Sequence, residues 1–412
     1  MTAFLGVLVS CRSPSRLDAM PHGTVSYLAR NRQPLDLGDD GERFSPTLLD
    51  VTGKTVFLLG ETHGFAEIRD LDFALLQHLH RTAGVRYYLM EAGPSHAWFI
   101  NRYLETGDEQ MLVVIFTDPV MKGTFNWTRE HRSFWKLVRA WNDSLPEEDR
   151  VRAVGVDVEH QAATAAACLR RLLPNTAPPA GISDPINRVI QLADSPDLKS
   201  VGSIAKVVLA SLETNRADYV AFLGDHLFDF ELVACNLHKA YEYYTTPRVA
   251  VKRGRKDEIR EQACFEAFKR VQARLPEGRF YGCWGNAHVS QRRHQNMDFF
   301  GTMLNGPDSP VAGKILSIWT LYQDCQRMVR PASPDRGYRV DSFAAESGQV
   351  RPFAKVARSN VTLFRLNGAD SPFTKQPYLV PQPCDGGGTT DYFQYLILLR
   401  GATPTTPLES TQ

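Results

Sequence analysis

Short apolar runs alternate with amphipathic segments along the first part of the chain. Residues 55–60 form an apolar run that ends at a glycine, which is typical of a buried strand. Residues 66–81 follow with leucines at helical spacing, and apolar runs at 85–93 and 151–158 each precede a further helical segment. Such alternation is typical of a parallel sheet covered by helices. We therefore predict an α/β fold with a mostly parallel sheet and helices on both faces.

The middle of the chain lacks this alternation. Residues 175–251 contain no good strand pattern and predict helices, the longest at about 215–244. A strong helix is predicted next, at 256–275, followed by strands at 279–285, 314–321, 361–366 and 391–399. The predicted organisation is an irregular N-terminal segment (1–50), a first α/β part (51–174), a helical insertion that forms a wall or lid over the strand ends (175–251), a second α/β part (252–400) and a loose tail (401–412).

The composition is that of an ordinary globular protein. The 412 residues are 43% hydrophobic and 23% charged, so the chain can bury a sizeable core. The 47 Lys and Arg residues nearly balance the 46 Asp and Glu residues. This balance argues against a dedicated nucleic-acid-binding protein, which usually has a basic excess. No apolar run approaches the roughly 20 residues that a membrane-spanning helix needs.

The N-terminus contains a short apolar stretch, Ala3–Val9, followed by Ser10 and Cys11. Leu8–Cys11 resembles a bacterial lipoprotein cleavage box, in which Cys11 would carry a lipid anchor, but the usual charged region before it is missing. The sequence leaves open a membrane-anchored periplasmic lipoprotein and a cytoplasmic protein. The six remaining cysteines could form up to three disulfides in an oxidising compartment or stay as buried thiols, and their spacing does not fit a structural zinc site: Cys168, Cys235, Cys264, Cys283, Cys325 and Cys384.

Polar side chains follow four of the predicted strands. Glu61 and His63 follow the first, Glu91 stands at the end of the second and Asp157 at the end of the third, and His288 follows the strand at 279–285. Ligands of open parallel sheets bind beyond the carboxyl ends of the strands. We therefore expect the two glutamates and two histidines to share one cleft. Each residue has a simpler interpretation alone, as a helix cap or a turn histidine, and for the aspartate alone the cap is favoured.

These residue types suit acid–base chemistry. A histidine is the usual general base near neutral pH, and a neighbouring carboxylate fixes its tautomer. Two His and two Glu side chains could instead hold a divalent metal, although their spacing is not that of a zinc protease. A rival nucleophile is Ser95, which follows a strand and opens a helix, with Asp157 and His288 in suitable order. The full Gly-x-Ser-x-Gly context and an oxyanion loop are missing, so we expect Ser95 to cap the helix instead.

Five motifs resemble, in order, the erythromycin esterase-like superfamily, to which the ChaN-like haem-binding lipoproteins are more distantly related. They span about residues 56–288 and read LLGETHGFAE, MEAG, VGVDV, REQACFEAF and GNAHV. The strand-end Gly-Glu and His of the superfamily match Glu61 and His63. Its acidic residue after the second strand matches Glu91, and its Asn-x-His turn matches Asn286 and His288.

The chain departs from the superfamily pattern at two positions. Gly285 stands where the esterases usually carry a second histidine, which argues against macrolide hydrolysis. Asp72 stands where the first helix usually carries an arginine, and Arg69, about one turn earlier, is the candidate substitute. The arginine–acid pair of the long helix resembles Arg260 and Glu261.

The resemblance implies a hydrolase that cleaves a small-molecule ester or lactone. His63 or His288 would activate water, with Glu61 and Glu91 orienting it and no covalent serine intermediate. The supporting or substrate-binding residues would be Arg69, Asp157, Arg260 and Asn286. No cofactor or an unknown divalent metal is implied. The alternative, implied by the ChaN-like relationship, is a haem- or metal-binding lipoprotein without turnover.

Overall fold

The computed structural model describes residues 23–38, 44–194, 196–247, 254–330, 337–343 and 347–408. The lipoprotein box at Cys11 lies outside these residues, as do the last residues of the predicted insertion and of the predicted tail. Among the residues that are described, no helix is long and apolar enough to cross a membrane.

The fold is α/β with a mostly parallel main sheet, as predicted. The main-sheet strands are β1 Arg32–Leu35, β2 Val56–Glu61, β3 Tyr87–Met90, β4 Arg152–Gly155, β5 Phe280–Gly285, β6 Ile315–Gln323, β9 Val361–Arg365 and β10 Tyr395–Arg400. A separate antiparallel pair, which the sequence did not predict, comprises β7 Cys325–Val329 and β8 Arg339–Phe343. The helices are α1 Thr24–Arg30, α2 Glu67–Ala83, α3 Pro94–Thr106, α4 Gln110–Phe116, α5 Arg129–Asp143, α6 Ala162–Arg171, α7 Ser183–Ile190, α8 Leu198–Thr214, α9 Arg216–Leu223, α10 Leu227–Thr245, α11 Gly254–Arg274, α12 Phe300–Asn305 and α13 Ser347–Val356.

The chain groups into two compact units. Unit 1 contains the described residues of Met1–Val85, Gly123–Leu137 and Tyr281–Gln412, and unit 2 consists of those of Arg86–Lys122 and Val138–Phe280. The predicted boundaries at residues 174 and 251 stay a prediction, because the positions of helices and strands do not establish which parts fold independently.

Unit 1 carries six strands of the main sheet, in the order β1-β9-β10-β6-β2-β5, and the separate pair β7-β8. β6 pairs in parallel with both β2 and β10, whereas β9 is antiparallel to β10 and to β1. The apolar run Val56–Leu59 of β2 is fully buried, as a central strand covered on both faces requires. Glu61 is the last residue of this buried strand, and His63 follows in the turn at its carboxyl end.

Unit 2 contains the parallel pair β3-β4 and most of the helices, including α3, α6, α10 and α11. The range predicted as a helical insertion contains the helices α7 to α10 and no strand in its described residues up to 247. Its role as a wall or lid over the strand ends stays a prediction. The predicted single helix at 215–244 is wrong in one respect: a 3-10 turn at Gly224–His226 separates α9 from α10. Glycine is a poor helix former, and Gly224 stands at this break.

Two other expectations need correction. The segment 1–50 was expected to be irregular, but it contains α1 and the short strand β1, which pairs antiparallel with β9. Residues 401–408 are not loose, because Pro404 bridges to Phe65 and Pro407 to Thr128. Both errors involve pairing with partners far away along the chain, which local composition does not reveal.

The disulfide question is settled for most of the cysteines. Cys168, Cys235, Cys264, Cys325 and Cys384 are free thiols. None of them therefore takes part in any of the three disulfides that the sequence allowed.

Candidate functional site

The turn after β2 brings an imidazole, a carboxylate and a guanidinium together in unit 1. His63 Nδ1 lies 2.8 Å from Glu61 Oε1, and Arg69 Nη2 donates to the same oxygen at 3.1 Å. An ionised carboxylate only accepts hydrogen bonds, so the neutral imidazole carries its proton on Nδ1. Nε2 is then the basic nitrogen of the ring.

The members of this cluster differ in exposure. The side chain of Glu61 is only 4% exposed and that of His63 is 35% exposed. The carboxylate is therefore held inside the protein, where the Arg69 guanidinium balances its charge, while the imidazole still reaches solvent. The imidazole also stacks on the Phe125 ring with a centroid distance of 5.2 Å.

Arg69, the candidate substitute for the superfamily arginine, bonds to two carboxylates. It lies on α2 and donates through Nη1 to Asp72 at 3.0 Å, besides its bond to Glu61. Asp72 is fully buried. The two carboxylates hold the guanidinium from opposite ends, so Asp72 fixes the arginine that fixes Glu61.

The turn after β5 lies against β2. A Cβ atom on Gly60 would stand 2.3 Å from Asn286 Oδ1, so only glycine permits this approach. The Asn286 amide also joins the turn to β6, donating to the Thr320 carbonyl at 3.2 Å and accepting from its amide at 3.3 Å. Asn286 thus acts as a bridge between strands.

His288 belongs to the same turn, Asn286–Val289. Its ring packs edge-on against Trp284 and Phe299, at centroid distances of 6.0 and 5.8 Å. The expectation that Glu61, His63, Glu91 and His288 share one cleft stays a prediction.

A second cluster, in unit 2, is built around Arg260 of α11. Its Nε and Nη2 atoms form a fork on the Asp157 carboxylate, with distances of 2.6 to 3.1 Å, and Nη2 also donates to Glu91 at 2.8 Å. Burial acts to raise the pKa of Asp157, but Arg260 and His160 outweigh it and hold that pKa well below its usual range. The favoured single-residue interpretation of Asp157 as a helix cap is wrong, because Gln161 stands at the N-cap of α6 and no side chain caps that helix.

Sequence reasoning missed two members of this cluster, His160 and Tyr244. His160 Nε2 lies 3.3 Å from Asp157 Oδ2, and Nδ1 lies 2.6 Å from the Tyr244 hydroxyl. The hydroxyl comes from α10, whose Asn236 amide donates to the carbonyl of Asp157 at 2.7 Å. His160 stands three residues after Asp157, which was the only signal in the sequence, whereas nothing in the sequence marked Tyr244.

Ser95 is held in a hydrogen-bonded pair inside unit 2. It is fully buried, its hydroxyl donates to Glu159 Oε2 at 2.6 Å, and its amide donates to Oε1 at 2.7 Å. Its expected capping role is wrong, because Gly93 stands at the N-cap of α3 and the Ser95 hydroxyl bonds to Glu159 instead. Burial is the main cause that raises the pKa of Glu159, to about 8.

In the part of the chain that the structure describes, no three His, Cys, Asp or Glu side chains are grouped to hold a metal ion. Binding of a divalent metal or of haem stays a prediction.

The fold and these strand-end clusters define a mostly parallel α/β protein with buried carboxylate–arginine pairs at its strand ends. The family model described as erythromycin esterase matches residues 80–316, which is more than half of the chain. The chain therefore belongs to the erythromycin esterase family. The matched range includes Glu91, Asp157, Arg260 and His288 and begins after Glu61 and His63.

Solved structures have the same fold. A protein from Bacillus cereus is 17% identical, with a TM-score of 0.70 over 94% of this chain and 98% of its own. A succinoglycan biosynthesis protein is 12% identical, with a TM-score of 0.70 over 96% and 100%. A mutant of the erythromycin esterase EreC in its open conformation is 12% identical, with a TM-score of 0.60 over 87% and 93%. Such low identities show the fold alone. No curated protein matches the sequence significantly.

Proposed function

We propose that the protein is a hydrolase that cleaves an ester or lactone of a small molecule with water activated by His63. The observation that carries the proposal is the shared oxygen Oε1 of Glu61, which binds both His63 Nδ1 and Arg69 Nη2. Membership of the erythromycin esterase family supports hydrolysis as the class of reaction.

The proposed reaction needs no covalent intermediate. His63 Nε2 takes a proton from water as the water oxygen attacks the substrate carbonyl carbon. Glu61 stabilises the imidazolium that forms, and Arg69 holds the carboxylate in place. The tetrahedral intermediate collapses with cleavage of the carbon–oxygen bond, and the imidazolium returns its proton to the leaving alkoxide. The products are an acid and an alcohol.

The other residues keep the roles that the superfamily resemblance implies. His288 is the second candidate acid or base, and Glu91 orients water. Arg260 and Asp157 support or bind substrate. Asn286 holds the turn that carries His288. These assignments are separate proposals, and each can be tested with its own variant.

The experiment compares variants on a panel of p-nitrophenyl esters and small lactones. We expect His63→Ala to lose about 10²–10⁴-fold in kcat, because a positioned general base typically contributes that much. Free imidazole should restore part of the activity by replacing the missing base. His80→Ala is the matched control, because this histidine is also partly buried in unit 1 and lies on α2.

A fluorophosphonate probe distinguishes the serine mechanism. Ser95 is buried and bound to Glu159, so we expect no labelling and only a few-fold change in Ser95→Ala, once folding has been checked by circular dichroism. Labelling that disappears in Ser95→Ala would overturn the proposal. Absence of turnover on every substrate, with stoichiometric haem or metal binding that requires His63 or His288, would favour the alternative of a binding protein.

A further inference from the structure

Unit 2 contains a cleft that shares no residue with the clusters described above. Its volume is about 300 Å³, at the lower end of the range for small-molecule sites. Residues of β4, α3, α10 and α11 line it. The cleft thus lies at the end strand of the sheet, among the helices that cover it.

The floor of the cleft is apolar. Buried side chains of four elements line it, including Ala97 of α3, Val154 of β4, Val233 of α10 and Val271 of α11. The half-buried Trp98 ring stands beside this floor. Such a surface favours the apolar body of an organic molecule over an inorganic ion.

The end strand is closed to a further strand. The side-chain amide of Asn101 donates to the Ala153 carbonyl at 2.9 Å and accepts from the Ala153 amide at 2.8 Å. These are the outward backbone groups that an added peptide strand would need. The cleft therefore suits a small molecule better than an extended peptide.

The mouth of the cleft carries an excess of positive charge. The charged residues of its lining are three arginines, Arg102, Arg152 and Arg274, and two carboxylates, Glu105 and Asp229, and His226 also lines the cleft. Burial raises the pKa of Asp229, and Arg274, His226 and Arg152 act against that rise. Glu105 binds the first arginine at 2.8 Å and lies 3.9 Å from the second. The third arginine lies over the ring of Phe228, 4.8 Å from its centroid.

We propose that this cleft binds a small monocarboxylate with an apolar body, which lies on the floor while the carboxylate meets Arg152 and Arg274. A guanidinium presents a planar fork of donors that matches a carboxylate, and the mouth has one more cation than anions. The inference is independent of the proposed hydrolase activity, because binding is measured without turnover.

Isothermal titration calorimetry on the full chain tests the proposal with three probes that share one ring system. We expect saturable one-site binding of 2-naphthoate. The neutral 2-naphthalenemethanol should bind about tenfold more weakly, since it loses charge-assisted hydrogen bonds. 2-Naphthylmethylammonium should bind more weakly still, because the surplus charge repels it.

Charge variants assign the binding to the cleft. Arg152→Gln and Arg274→Gln should each weaken naphthoate binding about tenfold, whereas Asp229→Asn should tighten it by removing a negative charge. Arg270→Gln is the matched control, because it lies one turn from Arg274 on α11 but does not line the cleft. Thermal melts of each variant confirm that it is folded.

Four results would overturn the proposal. One is the absence of saturable naphthoate binding at millimolar concentration. The others are equal affinity for the alcohol, tighter binding of the ammonium probe, and unchanged affinity in both arginine variants.

Discussion

At the scale of single residues, one carboxylate oxygen organises the proposed site. Glu61 Oε1 receives both His63 and Arg69, so the tautomer of the imidazole and the charge of the carboxylate are set together. A similar arrangement occurs in unit 2, where the Arg260 guanidinium donates hydrogen bonds to both Asp157 and Glu91. In both clusters an arginine makes a buried carboxylate tolerable, because an isolated buried charge would cost several kcal/mol.

Glu159 differs from these paired carboxylates. Its hydrogen bonds among the described residues come from Ser95 and not from an arginine, and burial raises its pKa to about 8. A carboxyl group whose folded pKa lies above its unfolded value favours the folded state when protonated. Its contribution to stability is therefore present below about pH 4.5 and is lost as the pH rises towards 8. Glutamine mimics the protonated form and can keep both bonds to Ser95.

We accordingly expect Glu159→Gln to gain stability relative to the wild type as the pH rises from 4.5 to 8. These limits are the ordinary pKa of the carboxyl group and its raised pKa in the folded protein. Urea unfolding at intervals across this range measures the difference. Glu213→Gln, at an exposed position on α8, is the control and should show no such trend. A difference independent of pH would contradict the prediction.

The sequence predicted part of this residue-scale chemistry. Glu61 and His63 stand out because they come at the end of an apolar run, and Arg69 lies in the first turn of the helix that follows. Tyr244 and Glu159 could not be found in this way. The tyrosine contacts a histidine 84 residues away, and the glutamate contacts a serine 64 residues away, so only the folded chain brings them together.

At the scale of elements, the packing of the β5 turn on β2 is tight at one position. A Cβ on Gly60 would meet Asn286 Oδ1 at 2.3 Å and Val289 Cγ2 at 2.8 Å. We expect Gly60→Ala to destabilise the protein by about 1–3 kcal/mol, the usual cost of overpacking. It should also lower activity, since the displaced turn carries His288 and adjoins Glu61.

Chemical denaturation and ester turnover measure the two effects. Gly123→Ala is the matched control in unit 1, because its added Cβ would meet nothing within 4 Å and its φ is not positive. Equal stability of the two variants would show that the turn moves freely and would contradict the prediction.

The elements themselves were predictable where the pattern is local. Buried strands such as β2 and long amphipathic helices such as α11 follow from hydrophobic periodicity, because each forms its own pattern within a few residues. The short strand β1 was not predictable, since it has four residues and exists by pairing with β9. The β7-β8 pair was missed for the same reason.

At the scale of the whole chain, the C-terminal segment 401–408 holds the segment that follows His63. The Thr405 amide donates to the Gly64 carbonyl at 3.0 Å, and the Ala66 amide donates to the Thr403 carbonyl at 2.9 Å. The Thr403 amide and hydroxyl in turn donate to Glu67 at the start of α2, at distances of 2.9 to 3.0 Å. Segment 401–408 is therefore hydrogen-bonded to the loop between His63 and α2 and to the start of that helix.

We predict that a chain ending at Ala402 loses both stability and activity. Hydrogen bonds to charged groups contribute about 1.5–3 kcal/mol each to the free energy of unfolding. The bonds from Thr403 to Glu67 contribute less, because they are exposed to solvent. Unfolding in urea should therefore occur at a lower midpoint, and kcat on the best ester should fall at a pH and temperature where the truncated chain is still fully folded. The matched control is a chain ending at Leu408, which keeps all of these contacts. If the shorter chain retained full activity while folded, the position of His63 would not depend on these hydrogen bonds, and β2 with Arg69 alone would be enough to hold the site.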